Sequence, residues 1–368
     1  MSNKPIILFE SYPDFSGSSL AVYNELIHRG YADKYDLVWA VDKNVKQPSF
    51  YKIMRFFGES TARQYELMKS VKLIIDSNRY IHKTATTKRV HVRHGCCLKR
   101  SIYYCNQIGD VDAIITTSED MRECDQRIWP SYLRDKFIIT GMPATDYLFT
   151  PKSLYECGLI KSLTGTDNVF DKIIGWLPTY RQHRFSPNTG SKYIHPFGLP
   201  LIKKQSDFQR LNDVLSNHNI LILVQPHHAQ AKNYTQLSNL SNIKFINESI
   251  KRTHGLVTTD LLGNFDSLIT DYSAAYHEYI ILNRPIALTV DDLVPYSDGC
   301  GFFVNYLEWI KGDYILNIDK LCNWIHAVAD NRDMSKDIRT DALRKIHKYV
   351  DDQSTNRVVD YVIQRGWL

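Results

Sequence analysis

Short apolar runs recur along the first half of the chain, and polar or amphipathic stretches separate them. Continuous runs of this kind are typical of strands buried on both faces, as in parallel sheets. We predict strands at 5–9, 35–41, 71–75, 89–92, 113–116 and 137–140. A helix is predicted between the first two strands, from about Leu20 to Arg29. Strands that alternate with helices at this spacing indicate a parallel, doubly wound sheet.

One stretch of the first half is ambiguous. From Tyr51 to Lys69, apolar residues are interleaved with Lys and Arg, and Gly58 interrupts them. We interpret the stretch as a broken helix that packs on the sheet. The alternative is an amphipathic face that lies on a membrane surface.

The same alternation restarts after a polar segment between Pro151 and Asp171. Strands are predicted at 172–176, 220–224, 243–246, 267–270 and 285–290, and helices at 206–217, 319–330, 335–351 and 354–365. We therefore predict an α/β protein with two Rossmann-type domains, at 1–150 and 151–340. Terminal helices at 341–368 could cross back to the first domain. A cleft between two such domains is the expected place for a ligand.

Composition and charge exclude several classes of protein. Hydrophobic residues make up 43% of the chain and charged residues 23%, as in soluble globular proteins. The net charge of +5 permits attraction to an anionic membrane or a phosphorylated substrate, but it is too small for a dedicated nucleic-acid binder. The motifs GxGxxG and GxxxxGK[ST] are absent, which argues against a dinucleotide fingerprint and a P-loop.

The cysteines and the termini bear on location. The seven cysteines form no CxxC pair, which indicates reduced cytosolic thiols and no structural zinc site. No signal peptide and no apolar window of membrane-spanning length is present. We expect a cytoplasmic protein, and peripheral contact with a membrane stays open.

The stretch from Phe265 to Phe302 is the most informative. Its pattern predicts a strand, a turn containing Asp271-Tyr272-Ser273, a helix from Ala274, a second strand and an acidic loop. Asp and Ser at a strand-to-helix junction can cap the first turn, whose N–H groups favour an anion. The alternative is an ordinary capped helix with no ligand.

Other side chains that could take part in catalysis or binding lie at predicted strand ends. His94 stands beside Gly95 in a basic segment, where it could act as a general base near a phosphorylated substrate. Strand alternation would put Val92 and His94 on one face and His91 and Arg93 on the other. The alternative is a structural histidine in a solvated basic loop.

His227, His228, Arg181 and Arg184 follow two further strands and could bond to phosphate oxygens. Adjacent histidines on a strand point to opposite faces and are unsuited to share a metal ion. We interpret Asp291-Asp292 as loop caps rather than a cation site. Cys96-Cys97 could be a nucleophile but fits equally as a pair of small buried residues.

Taken together and in order, these segments resemble the CDP-glycerol glycerophosphotransferase family, which builds the poly(glycerol phosphate) of teichoic acids and related capsules. The family motifs HGTPLK, GxPRxD, APTWR, PHP, TDYSS and DxxxYxxxxG are similar to His94–Lys99, Gly141–Asp146, Leu177–Arg181, Pro226–His228, Thr270–Ala274 and Asp292–Gly301. The similarity extends from about Phe9 to Phe303. The chain departs from the family pattern at Cys96, Cys97, Ala144, Ala274 and Glu278.

The resemblance implies a GT-B-like fold, with two Rossmann-type domains whose parallel sheets face each other across a cleft. The first domain would serve the acceptor and the second the nucleotide donor. An acceptor hydroxyl would attack the β-phosphorus of CDP-glycerol or CDP-ribitol and release CMP. The acceptor would be a polyprenyl-diphosphate-linked lipid or an oligosaccharide. Whether an anionic membrane surface is a further partner stays an open question, and nucleic acid is not expected as a partner.

The resemblance also implies roles for individual residues. His94 would be the general base, and His227 would stabilise charge on the diphosphate. The donor phosphates are assigned to Arg181, Thr270, Asp271, Ser273, Ala274 and Glu278, and the donor pocket to Pro178, Thr179, Asp292, Tyr296 and Gly301. The acceptor side is assigned to Gly17, Gly95, Lys99, Arg100 and Asp146. No metal ligand and no cofactor beyond the substrate is assigned, and a requirement for a divalent cation stays open.

Two alternatives use the same fold. The first is a glycosyltransferase that uses a nucleotide sugar. The second is a non-catalytic protein that binds a nucleotide or a glycan, which the departures at Cys96, Cys97 and Ala274 would permit.

Overall fold

The computed structural model describes residues 4–46, 48–96, 98–99, 109–179, 195–226, 239–299 and 301–368. They form two compact units. Unit 1 comprises Met1–Cys96, Ser101–Phe149 and Lys345–Leu368, and unit 2 comprises Cys97–Arg100 and Thr150–Arg344. The assignment of an acceptor role to 1–150 and a donor role to 151–340 remains a prediction.

Unit 1 is built on a parallel sheet. Its described strands are β1 (Ile6–Glu10), β2 (Asp36–Asp42), β3 (Lys52–Phe57), β4 (Val71–Asp76), β5 (Lys88–His91), β6 (Ala113–Thr116) and β7 (Phe137–Ile139). They lie in the order β3-β2-β1-β4-β5-β6-β7, and every described neighbouring pair is parallel. The central strands are buried along nearly their whole length, as their continuous apolar runs predicted.

Unit 2 contains a second parallel sheet. Its described strands are β8 (Lys172–Leu177), β9 (Ile220–Val224), β10 (Ile243–Phe245), β11 (Ser267–Thr270), β12 (Ile286–Thr289) and β13 (Asp313–Ile315). Their order is β10-β9-β8-β11-β12-β13, again with parallel neighbours. The predicted α/β class with two parallel sheets is therefore confirmed.

Helices connect the strands of both units. Those described are α1 (Gly17–His28), α2 (Thr61–Met68), α3 (Glu119–Ile128), α4 (Leu159–Thr164), α5 (Gln205–Asn217), α6 (Glu248–Thr253), α7 (Thr258–Asn264), α8 (Ala275–Tyr279), α9 (Leu293–Gly299), α10 (Tyr306–Trp309), α11 (Ile318–Ala329), α12 (Lys336–Ile346) and α13 (Ser354–Gln364). In unit 2, Phe208, Leu211 and Leu215 of α5 share one buried cluster with Ile174 and Trp176 of β8. Within the described part of the chain, no helix combines the length and the apolar character needed to cross a membrane.

The prediction of a broken helix from Tyr51 to Lys69 was wrong. The first part of this stretch is the edge strand β3, and only the second part is helical, as α2. A short apolar run fits a strand and a helix equally well, and charged residues are common on edge strands. Gly58, with φ +86°, separates the two elements.

The sheet orders determine where a ligand is expected. In unit 1 the direction of strand addition reverses between β1 and β4, and in unit 2 it reverses between β8 and β11. Parallel α/β sheets bind ligands at such switch points, outside the carboxyl ends of the strands. Glu10 and Asp76 end the strands at the switch point of unit 1, and Leu177 and Thr270 end those of unit 2.

Candidate active site

The switch point of unit 2 joins two of the predicted donor segments. The backbone N–H of Thr179 donates to both carboxylate oxygens of Asp271, at 2.9 and 3.0 Å. The Thr270 hydroxyl donates to the carbonyl of Leu177 at 2.8 Å. The buried carboxylate of Asp271 therefore binds the backbone of the segment that follows β8. Asp271 thereby holds the Pro178-Thr179 segment against the turn.

The end of this turn reaches solvent. Ser273 and Ala274 are half-buried, whereas Asp271 and Tyr272 are buried. The Ser273 hydroxyl oxygen accepts the N–H of Ala275 at 3.3 Å, at the start of α8. The accessible backbone of the turn is thus at Ser273 and Ala274, which are two of the six residues that the resemblance assigned to the donor phosphates.

The loop after β12 packs on the buried part of the turn. The ring of Tyr272 stacks on Tyr296 with centroids 4.0 Å apart, and its hydroxyl donates to Asp292 Oδ1 at 2.9 Å. The Tyr306 hydroxyl donates to the carbonyl of Asp271 at 2.8 Å. Asp292 and Tyr296 are themselves fully buried. The structure therefore brings both residues to the turn, where they support it from its buried side.

A histidine outside the predicted set lies against the same loop. His195 Nε2 is 3.7 Å from Asp292 Oδ2, and one ligand atom each from His195, Asp291 and Asp292 lie within 4.8 Å of one another. One imidazole and two carboxylates could hold a divalent cation, and they could equally form an ion pair if the imidazole is protonated. No sequence pattern around His195 singled it out, and only the fold brings it to Asp292.

His94 lies in unit 1, beyond the end of β5. The expected strand alternation stops at His91, because β5 ends there and Arg93 takes a left-handed conformation with φ +47°. Arg93 is buried and donates to Asp125 Oδ2 at 2.6 Å. His94 is exposed, and its Nδ1 lies 3.4 Å from the carbonyl oxygen of Ser77. With the ring proton on Nδ1, Nε2 is the acceptor that a general base needs.

A buried ion network supports the strands beside His94. Asp76 accepts from Arg89 Nε at 2.6 Å and from His91 Nδ1 at 2.8 Å, and all three side chains are almost fully buried. Burial acts to raise the pKa of Asp76, but Arg89 and His91 together hold it below its ordinary value. Burial lowers the pKa of His91, although Asp76 acts in the opposite direction. The network therefore combines a carboxylate, a guanidinium and a neutral imidazole.

The residues assigned to the acceptor side are spread over both units. Gly17 begins α1 with φ +61°, and Gly95 follows His94. The Asp146 carboxylate accepts the N–H groups of Ser354 and Thr355 at 3.1 and 2.7 Å, so it caps α13. Burial nevertheless raises the pKa of Asp146. Lys99 belongs to unit 2, where it pairs with Phe302 in an isolated antiparallel bridge.

The functional roles of all these residues remain predictions. Arg100, Arg181 and His227 lie outside the described residues. Gly301, with φ +69°, is half-buried beside Phe302.

We expect Glu278→Gln to change how stability depends on pH. Burial raises the pKa of Glu278 to about 7, above its ordinary value of 4.5. The contribution of this carboxyl to stability is therefore fully present below pH 4.5 and is lost as the pH rises through 7. Glutamine mimics the protonated form, so the variant should exceed the wild type in free energy of unfolding by on the order of 3 kcal/mol at about pH 8.5. The two proteins should be similar at about pH 4, below both pKa values.

Urea unfolding at the two pH values measures this difference. Glu308→Gln, on an exposed side chain of α10, is the matched control and should follow the wild type. A stability difference for Glu278→Gln that is the same at both pH values would contradict the prediction.

Comparisons with known proteins agree with the sequence motifs. A family model described as CDP-Glycerol:Poly(glycerophosphate) glycerophosphotransferase matches residues 1–364. The teichoic acid poly(glycerol phosphate) polymerase of Bacillus spizizenii is 27% identical over 351 residues, which cover 88% of this chain and 84% of that protein. The teichoic acid ribitol-phosphate polymerase TarK of Staphylococcus aureus is 24% identical, and the match covers 98% of this chain and 68% of that protein.

A solved structure shares the fold. A variant of the wall teichoic acid polymerase TagF superposes with a TM-score of 0.75 at 19% sequence identity, over 98% of this chain and 89% of that chain. The GT-B-like fold is thereby confirmed. Because the family model spans almost the whole chain, the protein belongs to the CDP-glycerol:poly(glycerophosphate) glycerophosphotransferase family and is a transferase.

Proposed function

We propose that the protein transfers a glycerol phosphate or ribitol phosphate unit from a CDP-alditol to an acceptor hydroxyl and releases CMP. The observation that carries this proposal is the family match over residues 1–364. The relatives include a poly(glycerol phosphate) polymerase and a ribitol-phosphate polymerase, so both donors are retained. The process served is the synthesis of teichoic acid or of a related capsule.

In the proposed reaction, the acceptor oxygen forms a bond to the β-phosphorus of the donor. The bond between that phosphorus and the bridging oxygen of CMP breaks, and CMP leaves with the electron pair. The proton of the acceptor hydroxyl goes to Nε2 of His94. Phosphoryl transfer depends on positioning and charge stabilisation more than on covalent chemistry. One positioned base and a set of phosphate contacts are therefore sufficient roles for the protein.

The donor phosphates would bind at the turn after β11. Ser273 and Ala274 are its accessible residues, and the buried pairs Asp271–Thr179 and Tyr272–Asp292 hold the turn in place. A rigid turn is suited to this role because its backbone groups need no rearrangement when charge develops on the phosphate. Arg181 and His227 would add positive charge, as the family motifs imply.

The acceptor and the location belong to the same proposal. We assign a polyprenyl-diphosphate-linked or oligosaccharide acceptor, presented at the cytoplasmic face of the cell membrane. The net charge of +5 is of the sign that favours an anionic lipid surface.

A donor panel tests the proposal. The protein is incubated with CDP-glycerol, CDP-ribitol, UDP-sugars, GDP-sugars or CMP-sugars and a set of lipid-linked acceptors, and nucleotide release and acceptor mass are followed. We expect CMP release and a gain of one or more alditol phosphates only with a CDP-alditol. Sugar transfer would instead identify a glycosyltransferase. Tight donor binding without nucleotide release from any acceptor would identify a non-catalytic binding protein.

A further inference from the structure

The turn after β4 is built around a single buried carboxylate. Glu10 is fully buried at the end of β1, and its Oε2 accepts three successive backbone N–H groups, from Ser77, Asn78 and Arg79, at 3.3, 2.9 and 3.0 Å. Its Oε1 accepts from Arg79 Nε at 2.8 Å. Successive N–H groups that converge on one anion hold the backbone in one conformation. The conformation of this turn therefore depends on the charge of Glu10.

The same turn contacts the ring of His94. Ser77 is almost fully buried, and its hydroxyl has two acceptors within reach, the carbonyl of Glu10 at 3.3 Å and Asn78 Oδ1 at 3.0 Å. Its own carbonyl oxygen lies 3.4 Å from Nδ1 of His94. Hydrogen bonds of catalytic residues are often long before the substrate binds and shorten in the complex. A chain of contacts thus runs from the Glu10 carboxylate through Ser77 to the imidazole.

This contact bears on the tautomer of His94. A neutral histidine side chain in water favours the proton on Nε2, which would make Nε2 a donor and unable to accept a proton. A carbonyl acceptor at Nδ1 favours the opposite tautomer, with the lone pair on Nε2. The orientation of the Ser77 carbonyl is therefore what prepares His94 to be a base.

We propose that Glu10 is a positioning residue for the transfer reaction, which holds the 77–79 turn so that the Ser77 carbonyl keeps the His94 proton on Nδ1. The inference rests on the proposed function, because it takes His94 as the general base. Glu10 touches no substrate in this role. It acts on the turnover step through His94, and it leaves donor binding, which we assign to unit 2, unaffected.

The fold offers a variant and a matched control. Glu10→Gln keeps the shape and one oxygen acceptor but removes the charge that gathers the N–H groups. Arg79 keeps two other carboxylates, Asp14 at 2.7 Å and Asp42 at 2.8 Å, so the variant retains anchors for this side chain. Asp42→Asn removes a carboxylate from the side chain of the same Arg79 and leaves the contacts of Glu10 with the 77–79 backbone in place. Of the two variants, only Glu10→Gln alters a side chain that contacts the backbone of residues 77–79.

Two measurements on the full chain test the proposal. Nitrogen NMR of histidine-labelled protein, with the His94 signals identified by their loss in His94→Gln, reports the tautomer without any substrate. We expect the wild type and Asp42→Asn to carry the proton on Nδ1, and Glu10→Gln to shift towards the Nε2 form. With CDP-alditol and acceptor, kcat of Glu10→Gln should fall about 10- to 100-fold, the range known for partners that orient metal-binding histidines, and the KM for the donor should be unchanged.

An unchanged tautomer in Glu10→Gln overturns the proposal, even if kcat falls, because the effect is then merely structural. An equal change in Asp42→Asn overturns it too. If Glu10→Gln does not fold, Ser77→Ala removes the bond to the Glu10 carbonyl and should shift the tautomer in the same direction by a smaller amount; no shift overturns the proposal. If the wild type releases no CMP with any donor, the proposed function fails, whereas the NMR result still decides whether Glu10 sets the tautomer.

Discussion

His94→Ala is expected to lower the rate of CMP release by about 10²- to 10⁴-fold, the contribution of a positioned general base. The imidazole is the proposed acceptor of the proton from the attacking hydroxyl, and alanine offers no replacement. The side chain is exposed, so its loss should leave the free energy of unfolding nearly unchanged. Binding of the CDP-alditol should persist, because the residues that we propose to bind the donor belong to unit 2. Nucleotide release, donor binding and urea unfolding are measured on the same preparation.

His28→Ala is the matched control for this variant. The His28 side chain is 83% exposed on α1 and takes no part in the proposed site, so its removal should leave turnover unchanged. Full activity of His94→Ala would remove His94 from the role of base. The family membership and the alditol phosphate transfer would stand in that case, and another group would have to accept the proton.

Asp76→Ala should produce the largest loss of stability among these variants, roughly 3–5 kcal/mol of the free energy of unfolding. The substitution leaves the Arg89 guanidinium, which is 1% exposed, without the carboxylate that accepts its Nε at 2.6 Å. It also removes the acceptor of the His91 Nδ1 proton. A buried charge that loses its partner costs far more than the net value of an ion pair, because water cannot replace the carboxylate.

Urea or thermal unfolding measures this loss, and Asp319→Ala is its control. Asp319 pairs with Arg210 on the surface of unit 2, where both side chains are more than half exposed, so no measurable change is expected there. An Asp76→Ala protein as stable as the wild type would show that the network contributes little to the fold. The variant should also lose activity, because Asp76 ends the strand from which the 77–79 turn begins.

Elements with a local sequence signal were predicted correctly. Buried strands of a parallel sheet need a continuous apolar run, and nearly all the predicted strands lie within one or two residues of those observed, for example at 113–116 and 220–224. The prediction failed at β3. An edge strand with charged residues, followed by a short helix, shows the same pattern of apolar and charged residues as one longer amphipathic helix. The turn at Asp271 was also found from the sequence, since a strand followed by small polar residues and a helix is visible in consecutive positions.

The sequence by itself determined the α/β class, the two parallel sheets, the family and the identity of the residues in its motifs. Only the tertiary structure decided the partners of those residues: Asp271 with Thr179, Tyr272 with Asp292, His195 with Asp292, and Glu10 with the 77–79 turn. The physical reason is the order of the strands. β1 lies beside β4, and β8 lies beside β11, so residues far apart in the chain meet at each switch point. No periodicity along the chain records which strand ends will meet.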